Sequence, residues 1–405
     1  MNKLYGDGIH DDTLAIQELI DSGVCEVVLP VPKAFYLISK PLELPSDFRL
    51  ALPRYAEIRL AKGSNCVMVK NRLDYAPDCS EACADDLFTK YVHIHKNAVP
   101  CKNIELIGGI WNFNNLEQAP NPIQIRDDSI PDFTGFGMLF YKINGFKMSA
   151  LTLKNPTNFA VNLDTVSYFT VEDITFDFNL GNPAPINMDG IHLDGNCHYG
   201  VIRNLKGACY DDLVALNAEE GSRGPITNIL IDGIFAEECH SAVRLLTVSQ
   251  KLEKIHIANV YGSYYQYCIG ITKYYQGETV GMFDAITLDN IYASKAIRHD
   301  YIYPNPNSYV YPLIYISAES VVNSLKINTL HRREYNNPID TLYIGKSSVV
   351  RRLILDDIVT ENHTDSPMPF MDNEGTIQAL SMRNISVGSE ELITGNGEIT
   401  ERIEL

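Results

Sequence analysis

Short runs of alternating apolar and polar residues recur along most of the chain. Two or three apolar residues alternate with polar ones, an Asn, Asp or Gly follows, and then an Ile, Leu or Val. The run reads NIELIGGI at 103–110, FTVEDI at 169–174, GVIRNL at 200–205, NILIDGI at 228–234, KIHIANV at 254–260, AITLDNI at 285–291, RLILDDI at 352–358 and LSMRNI at 380–385. The pivots Asp173, Asn204, Gly233, Asn259, Asn290, Asp357 and Asn384 are 31, 29, 26, 31, 67 and 27 residues apart, with KINTL at 326–330 inside the long gap. A second alternating run falls between copies: FAVNLD, DGIHLDG, DLVALNA, SAVRLLT, YCIGITK, PLIYIS and DTLYIG. Period-two alternation over four to six residues predicts half-buried strands. A repeat of this length with no helix of its own is too short for a strand–helix–strand unit. It fits one coil of a right-handed parallel β-helix, in which each coil buries its inward residues on its neighbours. Each pivot then marks a sharp bend in left-handed backbone, which Asn, Asp and Gly tolerate best.

The N-terminus departs from the repeat. Leu14, Ile16, Leu19 and Ile20 of TLAIQELIDSG form a helical apolar face, with Asp11, Asp12 and Thr13 as N-cap candidates and Gly23 as the C-cap. Gly6 and Gly8 suit a tight turn, and the acids of GDGIHDDT read as caps rather than as a calcium site. The layout expected is one all-β domain over 1–405: a cap region at 1–60 with its helix at about 12–22, coils at 98–390, and a C-terminal end at 391–405. Loops at 71–90, 115–136, 294–312 and 331–340 interrupt the coils and are expected to shape a binding face. Nothing rich in Gly or Ser divides the chain.

Composition narrows the classes. With 33 basic and 51 acidic residues the net charge is −18, which argues against a nucleic-acid binder and against an anionic membrane surface. No run of 18 apolar residues predicts a membrane-spanning helix, and no signal peptide is visible, so a cytoplasmic location is expected. Nine scattered cysteines without a CxxC pair predict neither a zinc site nor a disulfide framework, and most read as buried small hydrophobes. No cofactor or metal is called for.

Three successive coils carry the candidate chemistry on their second strand: NMDGIHLDG at 187–195, YDDLVALNA at 210–218 and CHSAVRLLT at 239–247. Aligning their inward pairs, Ile191 and Leu193, Val214 and Leu216, Val243 and Leu245, stacks Asp189 near Asp212 and Asp211 near His240. His192, Ala215 and Arg244 fall on one outward ladder, which Asn162 and Gly270 extend. Coils about 4.8 Å apart bring Asp189, Asp211 and Asp212 together, and three close carboxylates hold one proton near neutrality. Glycosidic cleavage needs such a set, an acid for the leaving oxygen and a base for water. Tyr261, Tyr264, Tyr265, Tyr267, Tyr274 and Tyr275 follow, and with Tyr301, Tyr303, Tyr309 and Tyr311 they are candidates to stack on sugar or wall a cleft. Arg332, Arg333, Arg351 and Arg352 read as solvated surface.

These residues resemble the motifs of glycoside hydrolase family 28, the polygalacturonases: NTD, then DD, then GHG, then RIK. NTD matches Asn187-Met188-Asp189, DD matches Asp211-Asp212, and the histidine of GHG matches His240. The cap resembles the pectate-lyase-like group, where GDGxxDDTxAIQ recurs. The resemblance implies that Asp211 is the general acid, that Asp189 and Asp212 position and deprotonate water, and that the anomeric centre is inverted. GHG has become Cys239-His240-Ser241, and RIK falls on Ile269-Gly270-Ile271-Thr272, so the cations that hold a sugar carboxylate are absent there. Asn187, His192, Arg244, Lys273 and Tyr267 are the expected substrate-binding residues, with Arg244 a substitute cation. The expected partner is a poly- or oligosaccharide, pectin-derived or carrying a neutral sugar. The rival readings are a lyase or epimerase of uronic acids, and a non-catalytic glycan-binding β-helix.

Overall fold

The computed structural model describes residues 2–75, 98–122, 133–274, 279–297, 311–388 and 391–404. Tyr275, Tyr301, Tyr303, Tyr309, Cys79 and Cys83, with parts of the loops at 71–90, 115–136 and 294–312, lie outside the described residues. The fold is all-β, built of coils of a right-handed parallel β-helix, with a short α-helix at the N-terminus. Two compact units are present. The first holds 1–201, 209–211 and 220–222; the second holds 202–208, 212–219 and 223–405.

In the first unit, parallel register stacks like on like. Phe48, Ile104, Phe146 and Phe169 form one inward column, and Ile58, Trp111, Leu153 and Phe176 another. A third column runs Val69, Met138, Val161 and Ile191. Every member of all three is buried, and each contributes about 1.5–3 kcal/mol relative to exposure. The second unit repeats the scheme. Ile229, Ile255, Ile286, Leu325, Leu353 and Leu380 form one column, and Val243, Ile269, Ile314, Leu342 and Met371 another.

All seven expected pivots adopt left-handed backbone, with φ from 53° at Asn384 to 82° at Gly233. Thr329, the pivot of KINTL, joins them at φ 56° despite its β-branch. The bends are tied coil to coil: Asn259 Nδ2 donates to Asp232 Oδ1 at 2.6 Å, and Asn290 Nδ2 donates to Asn259 Oδ1 at 3.2 Å.

The helix spans Thr13–Ile20. Its buried face is Thr13, Ala15, Ile16 and Ile20, whereas Leu14, expected inside, is 65% exposed. The apolar stripe is rotated because Asp12 is pulled inward to accept from Tyr5 N at 2.6 Å and Gly6 N at 3.0 Å. Asp11 caps in its place, accepting from Thr13 N at 2.8 Å. Asp7 accepts from Ile9 N and His10 N, so these three acids of the cluster serve turns and caps.

Arg351 and Arg352 are on the surface as expected. Arg332 is a correction. The strand Leu325–Glu334 runs through it, and its side chain is fully buried, with Nε at 2.9 Å and Nη2 at 2.8 Å from Glu334 Oε2. Arg333, pointing the other way, is exposed. Among the described residues, all seven cysteines are free thiols, five of them buried, and no helix is long and apolar enough to cross a membrane.

Candidate active site

The candidate residues divide between the units, and each unit is described by itself. In the first, residues 188–190 run between neighbouring coils. Ala160 N donates to Asp189 O at 2.9 Å and Val161 N to Gly190 O at 3.1 Å on one side, while Tyr210 N donates to Met188 O at 3.2 Å on the other. Asp189 and Asp211 are thereby set on adjacent rungs. Asn187, in left-handed backbone at φ 56°, turns its amide so that Nδ2 lies 3.5 Å from Asp211 Oδ2. The NxD motif and Asp211 thus meet within one unit. Asp189 is buried and Asp211 is half-buried.

The expected ladder pairing of Asn162 with His192 is present, but the ladder is not open to solvent. His192 is 1% exposed. Its Nδ1 lies 2.7 Å from Asp189 Oδ2, and its Nε2 lies 3.3 Å from both Asp194 Oδ1 and Glu220 Oε2. Phe159 stacks on the ring at 3.9 Å between centroids. Burial pulls the imidazole pKa down, but the hydrogen bond to Asp189 and the nearby carboxylates of Asp194 and Glu220 outweigh it and hold the group well above its ordinary value. The ring is sealed under other side chains, so His192 is corrected from a substrate contact to a support of Asp189.

Behind it lies a second buried acid. Asn162 Nδ2 donates to Asp194 Oδ2 at 2.8 Å, and Asp164 accepts from Thr165 Oγ1 at 2.8 Å and Ser222 N at 2.9 Å. A Cβ on Gly221 would lie 2.3 Å from Asp194 Oδ2 and 2.5 Å from Asp164 Oδ2, so only glycine fits where the two carboxylates approach. Burial, and then the charge of Asp194, push Asp164 up to about 7.

That shift makes a stability prediction. Between 3.8 and about 7 the folded chain keeps a proton on Asp164 that the unfolded chain releases, so this group destabilises the fold as pH rises through that window. Asp164→Asn is expected to flatten the fall in unfolding midpoint across the same window and to gain relative to wild type at its upper end. Parallel midpoint–pH curves for the two proteins would contradict this.

In the second unit, the strand Asp212–Asn217 pairs with Ser241–Leu246 in the expected register, Val214 with Val243, Ala215 with Arg244 and Leu216 with Leu245. Asp212 faces Ser241, which puts His240 one residue off that rung. His240 is 8% exposed, with Nδ1 at 3.2 Å from Ser241 Oγ, and its carbonyl accepts from Gln266 N. Arg244 Nη1 lies 3.5 Å from Asp212 Oδ2, its Nε donates to Thr272 Oγ1 at 3.2 Å, and its guanidinium lies 4.9 Å from the centroid of the exposed Tyr274 ring. Arg244 continues as a ladder through Gly270, Tyr315, Tyr343 and Asp372.

Two expected contacts are placed differently. Lys273 Nζ pairs with Glu319 Oε2 at 2.5 Å, and its side chain is buried. Tyr267 is 1% exposed, covered by Tyr311 and by Tyr315, which stacks at 6.0 Å. A Cβ on Gly270 would lie 2.5 Å from the Tyr267 ring. The tyrosine fills the volume above the rung where the resemblance expects a cation, and glycine is needed beneath it. Tyr264 and Tyr265 are buried as well, whereas Tyr261 is partly exposed.

Sequence reasoning missed Asp164, Asp194, Glu220 and Thr272. The signal for two of them was present: VNLD and IHLD place Asp164 and Asp194 at the same step of consecutive rungs.

No family model matches the chain, and no curated protein matches it in sequence. Solved structures do match in fold. A family 28 exopolygalacturonase of Yersinia enterocolitica aligns over 99% of this chain and 77% of its own, at 11% identity and TM-score 0.57. An endo-xylogalacturonan hydrolase of Aspergillus tubingensis aligns over 96% and 98%, at 13% identity and TM-score 0.50. A tailspike protein of E. coli bacteriophage HK620, in complex with pentasaccharide, aligns over 100% and 76%, at 12% identity and TM-score 0.56. The fold is therefore a right-handed parallel β-helix, shared with the family 28 exopolygalacturonase and the tailspike alike.

Proposed function

We infer that the protein is a glycoside hydrolase that cleaves a poly- or oligosaccharide, pectin-derived or related, with inversion. The observation that carries this is the meeting of Asn187-Met188-Asp189 with Asp211 on adjacent rungs, Asn187 Nδ2 lying 3.5 Å from Asp211 Oδ2. Asp211, half-buried, is the general acid. Its proton passes to the glycosidic oxygen as the bond from C1 to that oxygen breaks. Water forms the new bond to C1 from the opposite face and gives its proton to the base, Asp189.

Arg244, beside Asp212, is the cation available to a sugar oxygen or carboxylate. Tyr274 under its guanidinium offers an exposed ring to the same sugar. The shared fold includes two hydrolases of galacturonan-type polymers, which supports a pectic substrate, and a tailspike that holds a pentasaccharide, which supports a carbohydrate partner.

The test is a reducing-end assay against pectic fragments and aryl glycosides, run with and without a chelator. New reducing ends, insensitive to the chelator, are expected. An absorbing unsaturated product would instead identify a lyase. Binding without turnover across the panel would identify a glycan-binding module.

A further inference from the structure

We propose that His192 is a positioning residue that, as a fixed imidazolium, holds Asp189 as a carboxylate and so assigns it the part of base. This inference rests on the hydrolase reading above for its purpose, but its geometry stands apart from it. Carboxylates face both ring nitrogens: Asp189 at 2.7 Å from Nδ1, and Asp194 and Glu220 at 3.3 Å from Nε2. Ionised, these carboxylates only accept, which places a proton on each nitrogen and makes the ring cationic. Phe159 lies parallel to the ring and fixes its plane, and the site is 1% exposed, so water does not compete for Nδ1.

The consequence for Asp189 follows from charge. A cation at hydrogen-bond distance favours the ionised carboxyl. Asp189 is then kept in the ionised form that a base requires and carries no proton to donate. The charged and titratable groups facing the imidazole within the first unit are Asp189, Asp194 and Glu220, with Asp164 behind Asp194. The upward shift of His192 agrees with this arrangement.

The full chain, labelled with 15N at histidine and 13C at aspartate carboxyls, tests this by NMR without any substrate. His192 is expected to show two protonated ring nitrogens at pH 7.5. In His192→Asn the amide replaces the Nδ1 donor but not the charge, and the Asp189 carboxyl midpoint is expected to rise by about one pH unit or more. A neutral imidazole at pH 7.5 in the wild type overturns the inference, whether or not the variant folds. So does an unmoved Asp189 midpoint in the folded variant. Where turnover is measurable, the acid limb of kcat/KM shifts upward with that midpoint. Absence of turnover on every glycan would overturn the hydrolase reading while leaving the NMR result to decide this one.

Discussion

Asp211→Asn is expected to lower kcat by about 10²–10⁴-fold, the contribution of a positioned general acid, with little change in KM. An amide cannot donate the proton that the departing oxygen requires. The substitution is isosteric, and Asp211 is half-buried rather than packed in the core. Asn187 Nδ2 lies 3.5 Å from its carboxylate, and the amide of the variant can present its oxygen there. The unfolding midpoint is therefore expected to stay close to that of the wild type. Steady-state rates on the best glycan, with a melting curve on the same preparation, check both halves. Turnover within a few-fold of wild type would remove Asp211 from the acid role.

Glu334→Gln is expected to produce the largest loss of stability, about 3–5 kcal/mol, because it strands the buried Arg332 guanidinium without its anion. Glu334 and Arg332 are both fully buried, and one carboxylate oxygen takes two bonds from the guanidinium. The same carboxylate accepts from the backbone of Lys295, Asn336 and Asn337. Lys295 is buried too, its amine held by the carbonyls of Tyr265, Gln266 and Tyr311. Burial, and then the charge of Arg332, keep its pKa well below the ordinary lysine value. The cluster thus ties the turn at Tyr265 and Gln266, whose backbone bonds Cys239 and His240, to the coil carrying Glu334. Denaturant unfolding measures the loss. A midpoint unchanged from wild type would show that the buried charges are not coupled as described.

The architecture was legible because it is written in two periods at once, alternation within strands and recurrence between coils. Positions 173, 204, 233, 259, 290, 357 and 384 need a left-handed bend, and a short polar residue or glycine recurs there for that reason. The registers of Val214 on Val243 and of Asn162 on His192 follow from the same alignment of inward pairs.

What alternation cannot give is which outward residues a turn later covers. His192 and Ala215 occupy outward positions yet are buried, His192 beneath the ring of Phe159. Arg332 and Arg333 look alike in sequence, but strand alternation turns one inward, and Glu334 two residues on is the partner that makes its burial tolerable. The carboxylate of Glu219 was equally hidden. It is fully buried and accepts from the backbone nitrogens of Val248, Ser249 and Gln250, a partnership some thirty residues away that no local pattern announces.

The central claim, that paired acids drive a single displacement by water, is tested most directly by the anomer first formed. Proton NMR of a glycan during its first minutes of cleavage, before mutarotation, reads it. The account predicts that the newly released reducing end carries the configuration opposite to that of the bond broken. Release with the same configuration would contradict it, since that outcome requires a covalent intermediate and a carboxylate acting as nucleophile.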